Sequence, residues 1–256
     1  MNIFVLIKQV PDTESKIQID ASGASINTDK IKWIINPYDE LAIEEALQLR
    51  DAVGGSVTVF SLGSEKVDEA LRSALAMGAD IAVRIDPGNR KLDGLSLAKL
   101  LAGELQKEAF DLIIAGCRAV DDDNSIVGPA VAQYLNIPHI SMVIDLEVSD
   151  GRISCTRTVE GGNLVLESSL PALITTQQGI NAPRFPSLRG SMLAKKKNIE
   201  TRTISETENS TIKPMVSTIA MRLSPQRTAG RIIEGDNVKN QAAELVRLLK
   251  QEIKVF

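Results

Sequence analysis

Residues 116–129, GCRAVDDDNSIVGP, combine two glycines, three consecutive carboxylates and a proline suited to the first turn of a helix. The run before them, 111–115 (DLIIA), reads as a buried parallel strand, and the run after them, 130–135 (AVAQYL), as a short helix. A glycine-bearing loop from strand to helix leaves unpaired backbone N–H groups at the helix N-terminus. Those donors and the helix dipole attract phosphate. The spacing points to a nucleotide phosphate on the backbone of Asn124, Ser125, Ile126, Val127 and Gly128, with Gly116 at the strand end; an ordinary strand–helix connection is the competing reading. Asp121, Asp122 and Asp123 carry oxygens suited to Mg²⁺, but such runs more often cap a helix or meet ribose hydroxyls and solvent. Three carboxylates facing a phosphate would repel it, so the phosphate is assigned to the backbone after Asp123. No metal ligand is assigned.

The elements that must carry this loop alternate between strand and helix periods. Residues 3–7 (IFVLI) form a continuous β-prone run. Residues 38–52 read as a helix entered through Asn36-Pro37, with Ile43, Ala46 and Leu47 on one face. The strand 56–60 (SVTVF) ends in Ser61-Leu62-Gly63. Val67, Ala70, Leu71, Ala74 and Leu75 then make a helical stripe that stops at Gly78. Residues 81–85 read as a strand, and Leu97, Leu100, Leu101 and Leu105 mark another helix. Such alternation indicates an α/β fold: an open, mostly parallel, Rossmann-like sheet covered on both faces. Residues 16–28, with Gly23 at the middle, read as a hairpin inserted after the first strand.

The pattern changes near residue 145. Residues 145–148, 153–159 and 164–167 are short strands separated by Asp150-Gly151 and Gly161-Gly162, an antiparallel ribbon extension. Residues 171–175 (PALIT) return to the main sheet, whereas 180–200 lose regular period and carry Pro183, Pro186 and Gly190, then Lys195, Lys196 and Lys197. Residues 205–215 are polar, like a linker. A last helix spans about 238–253, with Val238, Ala242, Leu245, Leu249 and Ile253 along one side and Asp236-Asn237 as its N-cap. A long polar tail tethering a lone one-faced helix reads as an arm that packs on a partner; docking back onto its own domain is the alternative. The organisation read here is an α/β domain over 1–200 and an arm over 201–256.

Composition narrows the function. With 256 residues the chain can bury one sizeable domain plus an appendage. A net charge of −4 argues against a nucleic-acid partner, and 3% aromatic residues leave no base-stacking platform. No apolar run reaches the length of a membrane span, and residues 1–7 begin a strand rather than a secretory signal, so a cytoplasmic location is expected. Cys117 and Cys155 have no metal-ligand spacing and imply no disulfide framework; they read as inert thiols. The one histidine, His139, sits at a strand start with no acid–base partner beside it, and reads as a packed or partly exposed residue rather than a catalyst. No G-x-S-x-G, Walker A or H-E-x-x-H sequence occurs. The chain offers a nucleotide site with no catalytic residue.

Several segments resemble one family in order and nearly from end to end. KQVPDT (8–13), NPYDE (36–40) with AIEEA (42–46), ALAMGAD (74–80), AVDDD (119–123) with Gly128, AKKK (194–197) and PQRTAG (225–230) are similar to the β subunit of electron transfer flavoproteins. Each motif is weak alone, and together they are specific. The resemblance implies a heterodimer with an α subunit that carries the electron-transferring FAD, an adenine nucleotide in the parallel-sheet domain of the β subunit, and a C-terminal arm that wraps the α subunit. It places the nucleotide among Gln9 and Val10, Ser61, Leu62 and Gly63, Gly116, and the loop with Asp121, Asp123, Asn124, Ser125, Ile126, Val127 and Gly128. Ligands gather at such carboxyl ends of parallel strands.

In this family the nucleotide is AMP in non-bifurcating members and a second FAD in electron-bifurcating ones. The opening KQVPDT resembles the bifurcating type. Val127 stands where the AMP type has threonine, whose hydroxyl bonds the terminal phosphate; valine removes that donor. Asp122 stands where the bifurcating type tends to have glycine, and Ile126 replaces a glutamine common to both. The resemblance also makes 183–197 a recognition loop, with Leu188 as the anchor that inserts into an acyl-CoA dehydrogenase and Lys195, Lys196 and Lys197 as docking residues; by its own sequence Leu188 reads as a residue packed under its own loop. The expected function is an electron carrier subunit passing electrons between flavoprotein dehydrogenases or NADH and acceptors, with bifurcation slightly favoured over simple transfer with AMP. The rivals are an adenine-nucleotide hydrolase or ligase, for which 8–12 (KQVPD) lacks a phosphate-loop glycine, and a nucleotide-sensing module.

Overall fold

A computed structural model describes residues 1–204, 212–225 and 229–253. The strands are β1 Asn2–Leu6, β2 Gln9–Pro11, β3 Trp33–Ile35, β4 Ser56–Leu62, β5 Ile81–Asp86, β6 Leu112–Gly116, β7 His139–Ser149, β8 Arg152–Val159, β9 Gly162–Ser169, β10 Ala172–Thr176 and β11 Glu200–Thr203. The helices are α1 Pro37–Val53, α2 Asp68–Met77, α3 Gly94–Leu105, α4 Val127–Leu135, α5 Leu188–Lys196 and α6 Val238–Leu248, the last continued by a π-helical turn, Leu249–Ile253. Two compact units contain these elements, Met1–Ala220 and Met221–Phe256.

Nine strands form one sheet in the order β11-β5-β4-β1-β6-β10-β7-β8-β9. Pairing is parallel from β11 through β7 and antiparallel from β7 to β8 and β9. Strand β1 shows why the chain must cover both faces. Its side chains alternate, so Ile3 and Val5 enter one core with Ile43 and Leu47 of α1 and Leu71 of α2, while Phe4 and Leu6 enter a second core with Leu101 and Leu105 of α3 and Val131 of α4. A strand buried on both faces reads as a continuous apolar run, as 3–7 does.

The α/β class, the parallel sheet and the antiparallel extension match expectation, with three local differences. The apolar residues of 145–148 belong to a longer strand, β7, which pairs in parallel with β10 through its first half and antiparallel with β8 through its second, with a register shift near Val143. The 16–28 segment makes only a single bridge, Ile19 to Ile26; the ladder in that region is formed instead by β2 with β3. Residues 188–196, without a visible period, are helical because Ser187 caps the first turn, its hydroxyl accepting the Gly190 N–H at 2.9 Å. Residues 205–211 of the linker read at 205–215, and residues 226–228 of the PQRTAG motif, lie outside the described residues.

Candidate functional site

The carboxyl ends of β1, β4 and β6 open onto a cavity of about 300 Å³. Its floor is apolar, with Leu6, Phe60, Leu97 and Leu101 among the lining residues, and its rim carries Lys8, Asn36, Asp39, Asp93, Arg118 and Asn124. The first turn of α4, Val127 and Gly128, closes one side. The helix begins three residues earlier than its sequence period indicates. Val127 and Gly128 therefore sit in the first turn, where backbone N–H groups have no intrahelical acceptor. The first intrahelical bond of this end runs from Ala130 N–H to the Ile126 carbonyl at 3.0 Å. Pro129 lies among the positions that need no N–H.

Two polar residues of the NPYDE segment hold the loop in place. Asn36, fully buried, donates from Nδ2 to the Arg118 carbonyl at 2.9 Å and accepts the Val120 N–H on Oδ1 at 3.2 Å. Asp39, also buried, accepts the Lys8 N–H at 2.7 Å and the Gly116 N–H at 3.0 Å. One carboxylate thus ties the first turn of α1 to the ends of β1 and β6. Burial pushes the Asp39 carboxyl up to about 7, against the pull of the hydrogen bonds from Lys8, Asn36 and Gly116. Gly116 is required by this approach, because a Cβ there would collide with Asp39 Oδ1 and with the Tyr38 backbone. Gly128 is required similarly: a Cβ would stand 2.7 Å from Thr175 Cγ2.

The three carboxylates of the loop are each matched by a cation. Lys8 Nζ lies 2.7 Å from Asp121 Oδ1 and 3.1 Å from Asp122 Oδ2. Arg118 Nε lies 3.2 Å from Asp123 Oδ1, and its guanidinium also donates to the Tyr38 hydroxyl at 2.8 Å. Asp123 and Ser125 adopt left-handed backbone, φ 53° and 54°, and Asn124 Oδ1 accepts the Ile126 N–H at 3.1 Å. Across the cavity Asp93 caps α3, accepting the Ser96 N–H at 2.8 Å, and also holds the chain at Met215 and Val216 through their N–H groups at 2.6 and 3.0 Å. The Ser96 and Met215 bonds hold its carboxyl down at about 2.

Of the residues singled out from sequence, Leu62, Gly116, Asn124, Ser125, Ile126, Val127 and Gly128 line the cavity. Gln9 and Val10 lie in the β2–β3 ladder, with Val10 fully buried. Ser61 is buried on the opposite side of β4 from Phe60 and Leu62, and Gly63 packs on Val67. Asp121 and Asp123 make the ion pairs just described without lining the cavity. Lys8, Asn36, Asp39, Asp93 and Arg118 also line it, although the sequence reading gives none of them a binding role. A signal for two of them was available: polar Asn and Asp at the start of an apolar helix mark caps and first-turn acceptors. Cys117 and Cys155 are free and buried, and burial raises both thiols, Cys155 to about 12.

The second sequence-derived region, 183–197, is fastened at both ends. Arg184 donates to the buried Glu44 of α1 from Nε at 2.8 Å and Nη2 at 3.1 Å, and its own N–H donates to the same carboxylate at 3.1 Å. Arg72 of α2 donates to the Ala194 carbonyl at 3.0 Å, and Lys197 Nζ donates to the Ala79 and Asp80 carbonyls at 2.8 and 3.1 Å. Between these ties Phe185 is 95% exposed and Leu188 82% exposed, with Lys195 and Lys196 also at the surface.

The family model "Electron transfer flavoprotein domain" matches residues 24–207, a stretch that contains every cavity-lining residue except Leu6, Ile7 and Lys8. The chain belongs to the electron transfer flavoprotein family. An electron transfer flavoprotein subunit beta of Bacillus subtilis (strain 168) is 41% identical to it, with each chain covered in full. Proteins of the same name from Syntrophomonas wolfei and Thermoanaerobacterium thermosaccharolyticum are 37% and 36% identical, over 100% and 97% of this chain and 98% of each relative. These full-length matches make the chain an electron transfer flavoprotein β subunit, as its motifs imply. Among the described residues no helix is long and apolar enough to cross a membrane, and no group of three or more His, Cys, Asp or Glu is arranged to hold a metal ion.

Proposed function

We propose that this electron transfer flavoprotein β subunit pairs with an α subunit and holds the adenosine and phosphate of a nucleotide in the cavity beneath α4. The observation that carries the reading is the coincidence of three features at one strand-end cavity: an apolar floor, a hydrogen-bonding rim, and the free N–H groups of Val127 and Gly128. Flavin in the assembled complex supplies the redox chemistry. This chain binds the nucleotide, completes the α subunit's flavin site, and presents Leu188 to an acyl-CoA-dehydrogenase-type flavoprotein.

The sequence slightly favours a second FAD, but a cavity of about 300 Å³ lies at the small end of ligand sites and favours a mononucleotide, AMP, as the first reading. A second FAD, with electron bifurcation from NADH, is the second reading. It is supported by Val127, which offers no hydroxyl to a terminal monophosphate. Acid extraction and chromatography of the co-purified αβ complex decide between them. One FAD and one AMP per complex is the expected result. Two FAD and no AMP would replace it with the bifurcating reading, and a complex with no nucleotide beyond the α-bound flavin would remove the cavity assignment.

A further inference from the structure

The cavity rim poses an electrostatic problem. Asp121, Asp122 and Asp123 form a block of three negative charges beside the helix terminus assigned to phosphate, and Asp122 lines the cavity itself. Uncompensated, they would oppose any phosphate there. The structure compensates them by placement. Lys8 lies at the end of β1 with its backbone held on both sides: its N–H donates to Asp39, and its carbonyl accepts the Asn36 N–H at 2.9 Å. From that fixed base its ammonium group spans Asp121 and Asp122, while Arg118 takes Asp123. Sequence separation of 113 residues between Lys8 and Asp121 means that only the folded sheet creates the pairing.

We infer that Lys8 is a specificity-determining residue that makes this cavity accept phosphate by neutralising Asp121 and Asp122, rather than by contributing affinity for the adenosine moiety. The inference rests on the phosphate assignment made under the proposed function. It differs from a direct lysine–phosphate contact in a measurable way. If Lys8 acts through the two carboxylates, removing a carboxylate restores what removing the lysine destroys.

The test uses nucleotide-depleted αβ complex titrated with AMP and with adenosine. Lys8→Met is expected to weaken AMP at least tenfold and leave adenosine within twofold. Lys8→Arg, which retains the charge, should bind AMP like wild type. Adding Asp122→Asn to Lys8→Met should recover most of the loss. The deficit of Lys8→Met should also shrink as salt rises, since screening weakens exposed like-charge repulsion. A Lys8→Met complex that binds AMP as tightly as wild type overturns the inference and leaves the phosphate site standing. A loss that Asp122→Asn does not relieve also overturns it, in favour of direct contact. A wild-type complex that binds AMP no better than adenosine removes the phosphate site, and the inference falls with it. Lys8, Asp121 and Asp122 are all partly exposed, so folding is not at stake in these variants.

Discussion

Asp39 in the first turn of α1 accepts the N–H of Gly116 at the end of β6 across 3.0 Å, with no room for a Cβ between them. The two residues stand 77 positions apart in sequence. Their contact sets how closely α1 approaches the strand ends that open onto the cavity. Gly116→Ala should therefore destabilise the protein by about 1–3 kcal/mol, the usual cost of overpacking. Denaturant midpoints at constant m-value measure it. An unchanged midpoint would mean that α1 moves away freely.

The same carboxyl gives a pH signature. Its folded-state value, about 7, is raised above its ordinary value by burial. A raised carboxyl contributes stability that is complete below the unfolded value and lost as pH rises through the folded one. Between about pH 4 and 7 Asp39 should therefore lower unfolding free energy with rising pH, at most about 1.4 kcal/mol per pH unit. Asp39→Asn should flatten that part of the profile. The readout is the difference in slope between the two proteins, since Asn also changes the bonds to Lys8 and Gly116.

Leu188 is 82% exposed, so Leu188→Ala should leave stability within about 0.5 kcal/mol of wild type. As a docking anchor it should still cost about 2 kcal/mol of partner affinity, roughly thirtyfold. Electron transfer with the partner dehydrogenase at subsaturating concentration should drop accordingly, with flavin content unchanged. Wild-type turnover under those conditions would remove the anchor role.

Arg184 faces a buried carboxylate. Burial by itself raises the Glu44 carboxyl, but the hydrogen bonds from Arg184 and Gln48, with the Arg184 charge, together outweigh it and hold the group below its usual range. Arg184→Gln removes the cation and leaves Glu44 enclosed. Because Arg184 is itself 37% exposed, the expected loss is nearer 1–2 kcal/mol than the larger cost of a fully buried pair. Since Glu44 is depressed, the stabilisation it contributes is present at neutral pH and fades as pH falls through its folded value. The variant should thus differ most from wild type at neutral pH, and thermal unfolding at pH 7 and pH 3 compares the two.

The second unit presents Val238, Leu245 and Val246 at the surface of α6, and Ile232 ahead of it is also exposed. Co-expression with the α subunit should give a stable 1:1 heterodimer in which amides of 238–248 gain hydrogen-exchange protection. Equal protection in the isolated chain would count against an arm that packs on a partner.

Local pattern carried much of this molecule. The apolar run 3–7, the stripe from Val67 to Leu75 and the strand–loop–helix at 111–135 depend on period and on neighbours within a few residues. They were legible because burial on one or both faces imposes a repeat. The strand-to-helix turn before α4 was marked locally by Gly128 and Pro129, although the helix starts at Val127, three residues ahead of its apolar period. The rim of the cavity was not. Lys8 meets Asp121, Asn36 holds Arg118 and Val120, and Asp93 holds Met215 through bonds between residues 82 to 122 positions apart. Nothing in the vicinity of any of those residues predicts its partner, because strand order, not chain order, brings them together. The same applies to Lys197. One of three consecutive lysines in the chain, it is set apart by the Ala79 and Asp80 carbonyls that the packing of α5 on α2 places within its reach, and by Arg72, which donates to its own carbonyl.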